Sequence, residues 1–529
     1  MKNIRKYFLN GIILCLVSFL MRTVGVSFNV YVSNKAGAEA MGLYALLSGI
    51  YGFAITFATS GINLATMRLV SSALGKGDKK EASAALRRCI TYSLIFSLVA
   101  TLWLFFSAEF IGVKMLKDER TILSLKILSL TLIPISLSST FNGYFTAVRR
   151  VYKNAVIQVI EQAIKIVSVS VLLSFFLEKG VEFACAALAF GGGISETLSF
   201  VISFITFSID KRKSLLSADK KANYKPVTKE LLSTALPIAS SAYICSGLIS
   251  LEHMFIPIGL QKFGATKSLA LSLYGIIQSM VLPIILFPAA IISSFSGLLV
   301  PELTECAVKN NKRQIRYICE RGIQIALIFS IGVSGIIICY SLELGSVIYP
   351  KESTSLYIKL LAPLIPIMYI DTTVDHMLKG LGEQFYSMLV NIGDSFLSVI
   401  LVCLLIPKIG IYGYIVTIYT SELINASFSI VRLIKKSDVR PKIIKWILKP
   451  LLCIVGATCL CRMLFVGVPF ESVAPPLKLT IHIIVTVMVY LILILGTYAF
   501  DGDDVKWLRG IFKNEGSIKS DARYDLTDN

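Results

Sequence analysis

Apolar runs of about 20 residues recur along the whole of this 529-residue chain. Each is long enough to cross the roughly 30 Å hydrocarbon core of a bilayer as a helix. No water reaches backbone N–H and C=O groups at that depth, so such runs must satisfy their own hydrogen bonds, as helices do. Composition agrees: 55% of residues are hydrophobic and 16% charged, against roughly a quarter charged in soluble domains. The first run is too long for a signal-peptide core, carries Arg22 and has no clear small-residue cleavage site. It reads as a retained span.

The runs predict fourteen spans, at about 9–33, 41–65, 89–113, 122–147, 154–177, 183–208, 230–258, 269–299, 322–343, 357–379, 386–407, 411–434, 446–466 and 478–499. The net charge of +19 would ordinarily suggest nucleic acid. Here the Lys and Arg fall in alternate connections, which is the positive-inside pattern. Nucleic acid is therefore not expected as a partner. The basic N-terminus (Lys2, Arg5, Lys6) and the even span count put both termini in the cytoplasm. The eleven cysteines show no CxxC pair or metal spacing and read as free thiols. Three histidines (His253, His376, His482) make a His-based metal centre improbable.

A repeat underlies the spans. Arg68–Glu81 and Pro301–Gln314 are both polar, basic segments that follow long apolar runs, and they stand 233 residues apart. The same offset pairs Tyr144–Asn154 with Met377–Ser387, and Glu161 with Asp394. Two parallel halves imply a cleft at the repeat interface with a polar site inside it. The expected division is a six-helix unit at 1–209, a Lys-rich linker at 210–229, a second six-helix unit at 230–434, two further helices at 435–500 and a polar tail at 501–529.

Arg22 in span one, Met41-Gly42-Leu43-Tyr44 opening span two, and Arg68-Leu69-Val70 resemble the multidrug/oligosaccharidyl-lipid/polysaccharide (MOP) exporter superfamily. Asn142-Gly143-Tyr144-Phe145, Gln158–Gln162, and Tyr274-Gly275 leading to Pro283, Pro288 and Leu299-Val300-Pro301 resemble its stage V sporulation protein B branch, which includes MurJ-type lipid II flippases. The resemblance covers about residues 5–500. It implies an all-α polytopic fold of the MATE type, with two pseudo-repeated six-helix lobes plus two C-terminal helices around a central cavity, and alternating access. It implies a cargo linked to undecaprenyl pyrophosphate, and a groove for the lipid tail at helices thirteen and fourteen.

A charge inside a membrane helix costs several kcal/mol unless paired or wetted, which makes it a functional candidate. The planar fork of Arg22 suits phosphate oxygens. It either grips a pyrophosphate or pairs with Glu161 or Glu252. Glu161 and Lys165 are four apart and share a helix face. They form an intrahelical pair, or Lys165 is free to meet an anionic headgroup. Asn63 is a neutral polar candidate for the substrate. Glu252 binds a coupling cation or proton, or pairs with Arg22, and His253 beside it reads as a wall residue. Asp371 and Asp375 also share a face and suggest a cation or proton site. His376 reads as hydrated near the interface. Asp394 and Glu422 are further intramembrane acids.

The expected function is a flippase, in the bacterial cytoplasmic membrane, for lipid II or a related wall or spore-cortex precursor. Its expected partners are the polyprenyl-pyrophosphate-linked saccharide, membrane lipid and cell-wall synthesis proteins, with the chain itself a monomer. No cofactor is expected beyond coupling Na+ or H+. The competing reading is a cation-coupled exporter of drugs or small amphiphiles. A membrane enzyme is disfavoured, since the loops are short and hold no concentrated set of acids or histidines. No GxxxxGK[ST] loop is present, so ATP hydrolysis is not expected.

Overall fold

The computed structural model describes residues 2–76, 78–213, 225–465 and 474–497. The expected linker between 214 and 224 and the expected tail from 501 lie outside the described residues. The described chain is helical nearly throughout. Thirteen helical stretches among the described residues are long and apolar enough to cross a membrane. These map onto the fourteen expected spans. The first, Leu20–Gly75, holds 56 residues, about 84 Å of helix at 1.5 Å per residue. It is two passes, broken at Gly37 (φ 80°, ψ 168°). Lys267–Leu286 and Ala289–Val308 are the two arms of span eight. Ile411–Ser437 fills the place of span twelve and is less apolar than the thirteen.

The basic repeat segments are less loop-like than expected. Span two continues as helix Ile62–Gly75, and span eight as Ala289–Val308. The next helices begin at Lys79 and Lys312. Asp78 caps the first by accepting from the amides of Lys80 and Glu81, both at 2.9 Å. Asn311 caps the second through the amide of Gln314 at 3.2 Å. Such caps contribute about 1 kcal/mol each. A short helix not expected from the sequence, Ser341–Ile348, lies between spans nine and ten.

The 233-residue offset is built into the backbone. It relates the caps Asp78 and Asn311 and the helix ends Ala147 and Gly380. It also relates the helix starts Val151 and Gln384 and the left-handed residues Arg149 and Gly382. Each half also has a broken helix at the interface. Span two breaks at Ser60-Gly61, both at positive φ, and span eight at Phe287-Pro288. Pro288 has no amide to donate, so the helix turns there.

Spans thirteen (Ile444–Leu464) and fourteen (Pro475–Gly496) pack on span nine (Lys312–Cys339). The Tyr490 hydroxyl donates to the Ile328 carbonyl at 2.7 Å, and Tyr340 and Thr486 share a hydrogen bond of 2.8 Å. An apolar groove of about 300 Å³ runs between spans nine, ten and thirteen, lined by Ile331, Ile338, Pro363, Leu451 and Val455 among others. Every cysteine with a described side chain is a free thiol.

Candidate functional site

Spans one, two, seven and eight meet around a cavity of about 460 Å³. Its walls include Gly25, Asn29, Tyr44, Ser48, Gly49, Ser246, His253 and Gln278. A side chamber of about 200 Å³ shares Gly25, Asn29, Met41 and Tyr44 and adds Gln162 and Lys165 of span five. Among the described residues no carboxylate lines either chamber. Lys165 is the one side chain of fixed charge among the described residues of these walls. The space is therefore polar, weakly cationic and rich in hydrogen-bonding groups.

One end of the interface between the halves is closed by polar contacts. Asn34 donates to the Ile348 carbonyl at 2.7 Å, and the Ala38 amide to Glu352 at 3.1 Å. Lys267 reaches Asp118 at 3.2 Å and the Lys117 carbonyl at 2.7 Å. Ser268 donates to Glu39 at 2.6 Å, and Arg120 ties Glu39 to Asp118 within the first half. Burial pulls the Asp118 pKa upward. The hydrogen bond and charge of Arg120, with Lys267, outweigh it and hold the carboxyl below its ordinary value.

Arg22 is exposed, and its Nη2 donates to the Leu286 carbonyl at 3.0 Å. That carbonyl belongs to the broken turn of span eight. The neighbouring Ile285 carbonyl accepts from the Tyr369 hydroxyl at 2.7 Å. Backbone groups released by the break thus find partners on spans one and ten, as apolar surroundings require. The alternative pairs of Arg22 with Glu161 and Glu252 do not form. Arg22 lies one turn from Gly25, a wall residue of both chambers.

The expected pair of Glu161 and Lys165 is also not formed. Glu161 accepts from Ser199 of span six at 2.7 Å, while Lys165 faces the side chamber. Glu196, which sequence reading passed over, lies near both Glu161 and Lys165. It had no spacing motif to mark it. Asn63 is exposed, lines neither chamber, and lends its carbonyl to a close approach by Gly143.

The acids of the second half lie near one another and line neither chamber. Asp371 accepts from Asn425 at 3.4 Å, and its Oδ1 is buried without a hydrogen-bond partner among the described residues. Asp394 accepts from Ser421. Glu422 lies near Asp371 and Asp394, and Glu252 near Asp394 and Ser398. Asp375 lies near Asp371, and is also held by Lys379 at 2.5 Å and by Ser387. Among the described residues no three His, Cys, Asp or Glu side chains form a metal-ligating group.

A family model described as "Polysaccharide biosynthesis protein" matches residues 8–295. The chain is 27% identical to stage V sporulation protein B of Bacillus subtilis, over 79% of this chain and 81% of that protein. It is 23% identical to the lipid II flippase MurJ of the same organism, over 71% and 73%. Among solved structures, the inward closed conformation of the lipid II flippase MurJ superposes with a TM-score of 0.68 at 16% identity, covering 91% of this chain and 98% of that one. An inward-facing multidrug resistance MATE transporter of the MOP superfamily gives 0.60 at 16% identity, covering 81% and 99%.

Proposed function

Since the chain belongs to the polysaccharide biosynthesis protein family, in the MOP superfamily branch of stage V sporulation protein B and MurJ, we propose that this multi-pass membrane transporter flips an undecaprenyl-pyrophosphate-linked saccharide. The cargo is lipid II or a related wall or spore-cortex precursor, and the route is alternating access across the bacterial cytoplasmic membrane with both termini inside. The observation that carries the reading is a double cavity whose walls, among the described residues, hold Lys165 and no carboxylate. An anionic pyrophosphate would be repelled by acids there and is attracted by an ammonium. The apolar groove beside spans nine, ten and thirteen supports a place for the lipid tail. Flipping makes and breaks no covalent bond, so no nucleophile is required.

Depletion of the native lipid II flippase in a bacterial host that expresses this chain tests the reading. The quantity measured is lipid II accessible to an externally added enzyme that cleaves only outward-facing lipid II. Restored cleavage and growth support flipping. No cleavage, with the chain present in the membrane, sets lipid II aside as cargo.

One observation favours a second reading, a cation-coupled exporter of small amphiphiles. Asp371, Asp394, Glu422 and Glu252 crowd one half, and intramembrane acids suit Na+ or H+ coupling. Resistance to several unrelated cationic dyes on expression would select it. The same acids serve the flippase reading as a coupling site.

A further inference from the structure

Two wall residues of the cavity are each held from behind by a buried tyrosine. His253 Nδ1 and the Tyr274 hydroxyl are 2.7 Å apart. Tyr274 is wholly buried, and Nδ1 is the only partner its hydroxyl has among the described residues. A buried phenol hydrogen left without an acceptor carries a full desolvation penalty. The hydroxyl therefore donates, Nδ1 accepts, and the neutral ring carries its proton on Nε2. Beside Tyr274, the Tyr414 hydroxyl, 3% exposed, donates to Gln278 Oε1 at 3.1 Å. By the same reasoning this fixes the amide with its NH2 turned away from Tyr414.

Both residues belong to the cavity wall. His253 Nε2 has no hydrogen-bond partner among the described residues, yet it is not a sealed, unsatisfied atom. Gly49 of span two packs against the Cβ, Cγ and Cδ2 atoms of His253. A Cβ built there would come within 3.0 Å of both Cβ and Cδ2 of His253, so the imidazole has little room to turn. Lys165 stands in the side chamber, on span five. The cavity thus divides by chemistry: an ammonium on one side and two oriented, uncharged donors on the other.

We propose that His253 and Gln278 bind the saccharide oxygens of the cargo, hydroxyl or amide carbonyl, with Tyr274 and Tyr414 as positioning residues that keep both as donors. This rests on the flippase reading and assigns the sugar, as distinct from the pyrophosphate, to a specific wall. Neutral donors suit neutral acceptors, and a site built to donate rejects a ligand that leaves the donors unpaired.

The test uses the full chain in lipid nanodiscs and two probes, undecaprenyl pyrophosphate and lipid II, with the Kd of each measured. His253→Phe and Gln278→Leu are expected to weaken lipid II by about tenfold each, the scale of one lost hydrogen bond to a buried site, and to leave undecaprenyl pyrophosphate unchanged. Tyr274→Phe is expected to give a smaller loss. It should also shift the ¹⁵N resonances of His253 toward a mixture of tautomers, which a packing defect alone would not do. His253→Gln, which keeps an amide donor, should recover part of the affinity. If His253→Phe fails to fold, Gln278→Leu carries the same comparison. Equal losses for both lipids, or none for either, overturn this proposal alone. Binding of neither lipid by the unaltered chain overturns the flippase reading and this proposal with it.

Discussion

Gly42 and Gly275, 233 residues apart, lie back to back. A Cβ on Gly42 would sit 1.9 Å from the Leu271 carbonyl oxygen, and a Cβ on Gly275 would sit 2.2 Å from that of Ala38. Ala38 and Leu271 are themselves 233 residues apart. Each half therefore meets the other through the same backbone patch. A two-fold axis imposes that reciprocity on two copies of one surface. Here the copies are halves of one chain, and the axis passes between these glycines.

Alanine at either position should prise this contact open. The methyl would meet backbone rather than a movable side chain, so relief requires shifting a whole helix. Gly42→Ala or Gly275→Ala is expected to cost about 1–3 kcal/mol, the usual range for overpacking. Thermal unfolding in detergent reads the loss. A cross-link between cysteines placed at Asn34 and Ile348 should form more slowly in the variants. Unchanged melting and cross-linking would show that the helices part without cost.

The contacts of Lys267 across the halves should set how often this end opens. Lys267→Ala removes the bridge to Asp118 and to the Lys117 carbonyl. A partly exposed pair contributes up to about 1 kcal/mol, or roughly a fivefold change in population. Distances between spin labels on the two halves should shift toward the open state by that factor. An identical distribution would make the bridge ornamental.

Arg22 has both a structural and a binding reading, and lysine separates them. Arg22→Lys keeps one donor for the Leu286 carbonyl but loses the planar fork that fits phosphate. If Arg22 grips pyrophosphate, outward lipid II cleavage should fall at least about tenfold in Arg22→Lys, and vanish in Arg22→Ala. Full activity of Arg22→Lys would leave Arg22 as a brace for the broken turn. Tyr369→Phe, which frees the adjacent Ile285 carbonyl, controls for damage to that turn.

Glu383 predicts an acid-dependent stability. Its carboxylate is held by Lys436 at 2.5 Å and Arg432 at 2.6 Å. The hydrogen bonds of Lys436 and Arg432 lower its pKa. A carboxylate whose folded value is depressed adds stability above its unfolded value, about 4.3. That stability is lost as pH falls through the folded value. The wild-type chain should melt above Glu383→Gln at neutral pH, and the gap should close as pH drops below about 4. A gap that persists at low pH would mean that packing, not charge, holds the corner.

Spacing reported which groups share a face but not which neighbour takes them. Asp375–Lys379 and Glu161–Lys165 have the same four-residue spacing and the same acid-first order. The first pair forms, at 2.5 Å. The second does not, because Ser199 on the adjoining helix takes the carboxylate. Span count and the 233 offset were legible because both follow from patterns that run the length of the chain. The reciprocal glycines also follow from that offset, yet only the packed helices reveal the contact. Glu196, Gln278 and the tyrosines behind the cavity were not legible. Their roles come from tertiary neighbours that leave no mark on local sequence.

One pair of corners shows how the two halves have diverged. Arg150, in the turn before span five, pairs with Asp210 at the end of span six. The residue 233 positions later is Glu383, and its partners are Arg432 and Lys436 at the end of span twelve. The same corner is fastened twice with its polarity reversed. Each half is thus closed by charge pairs of its own sign order.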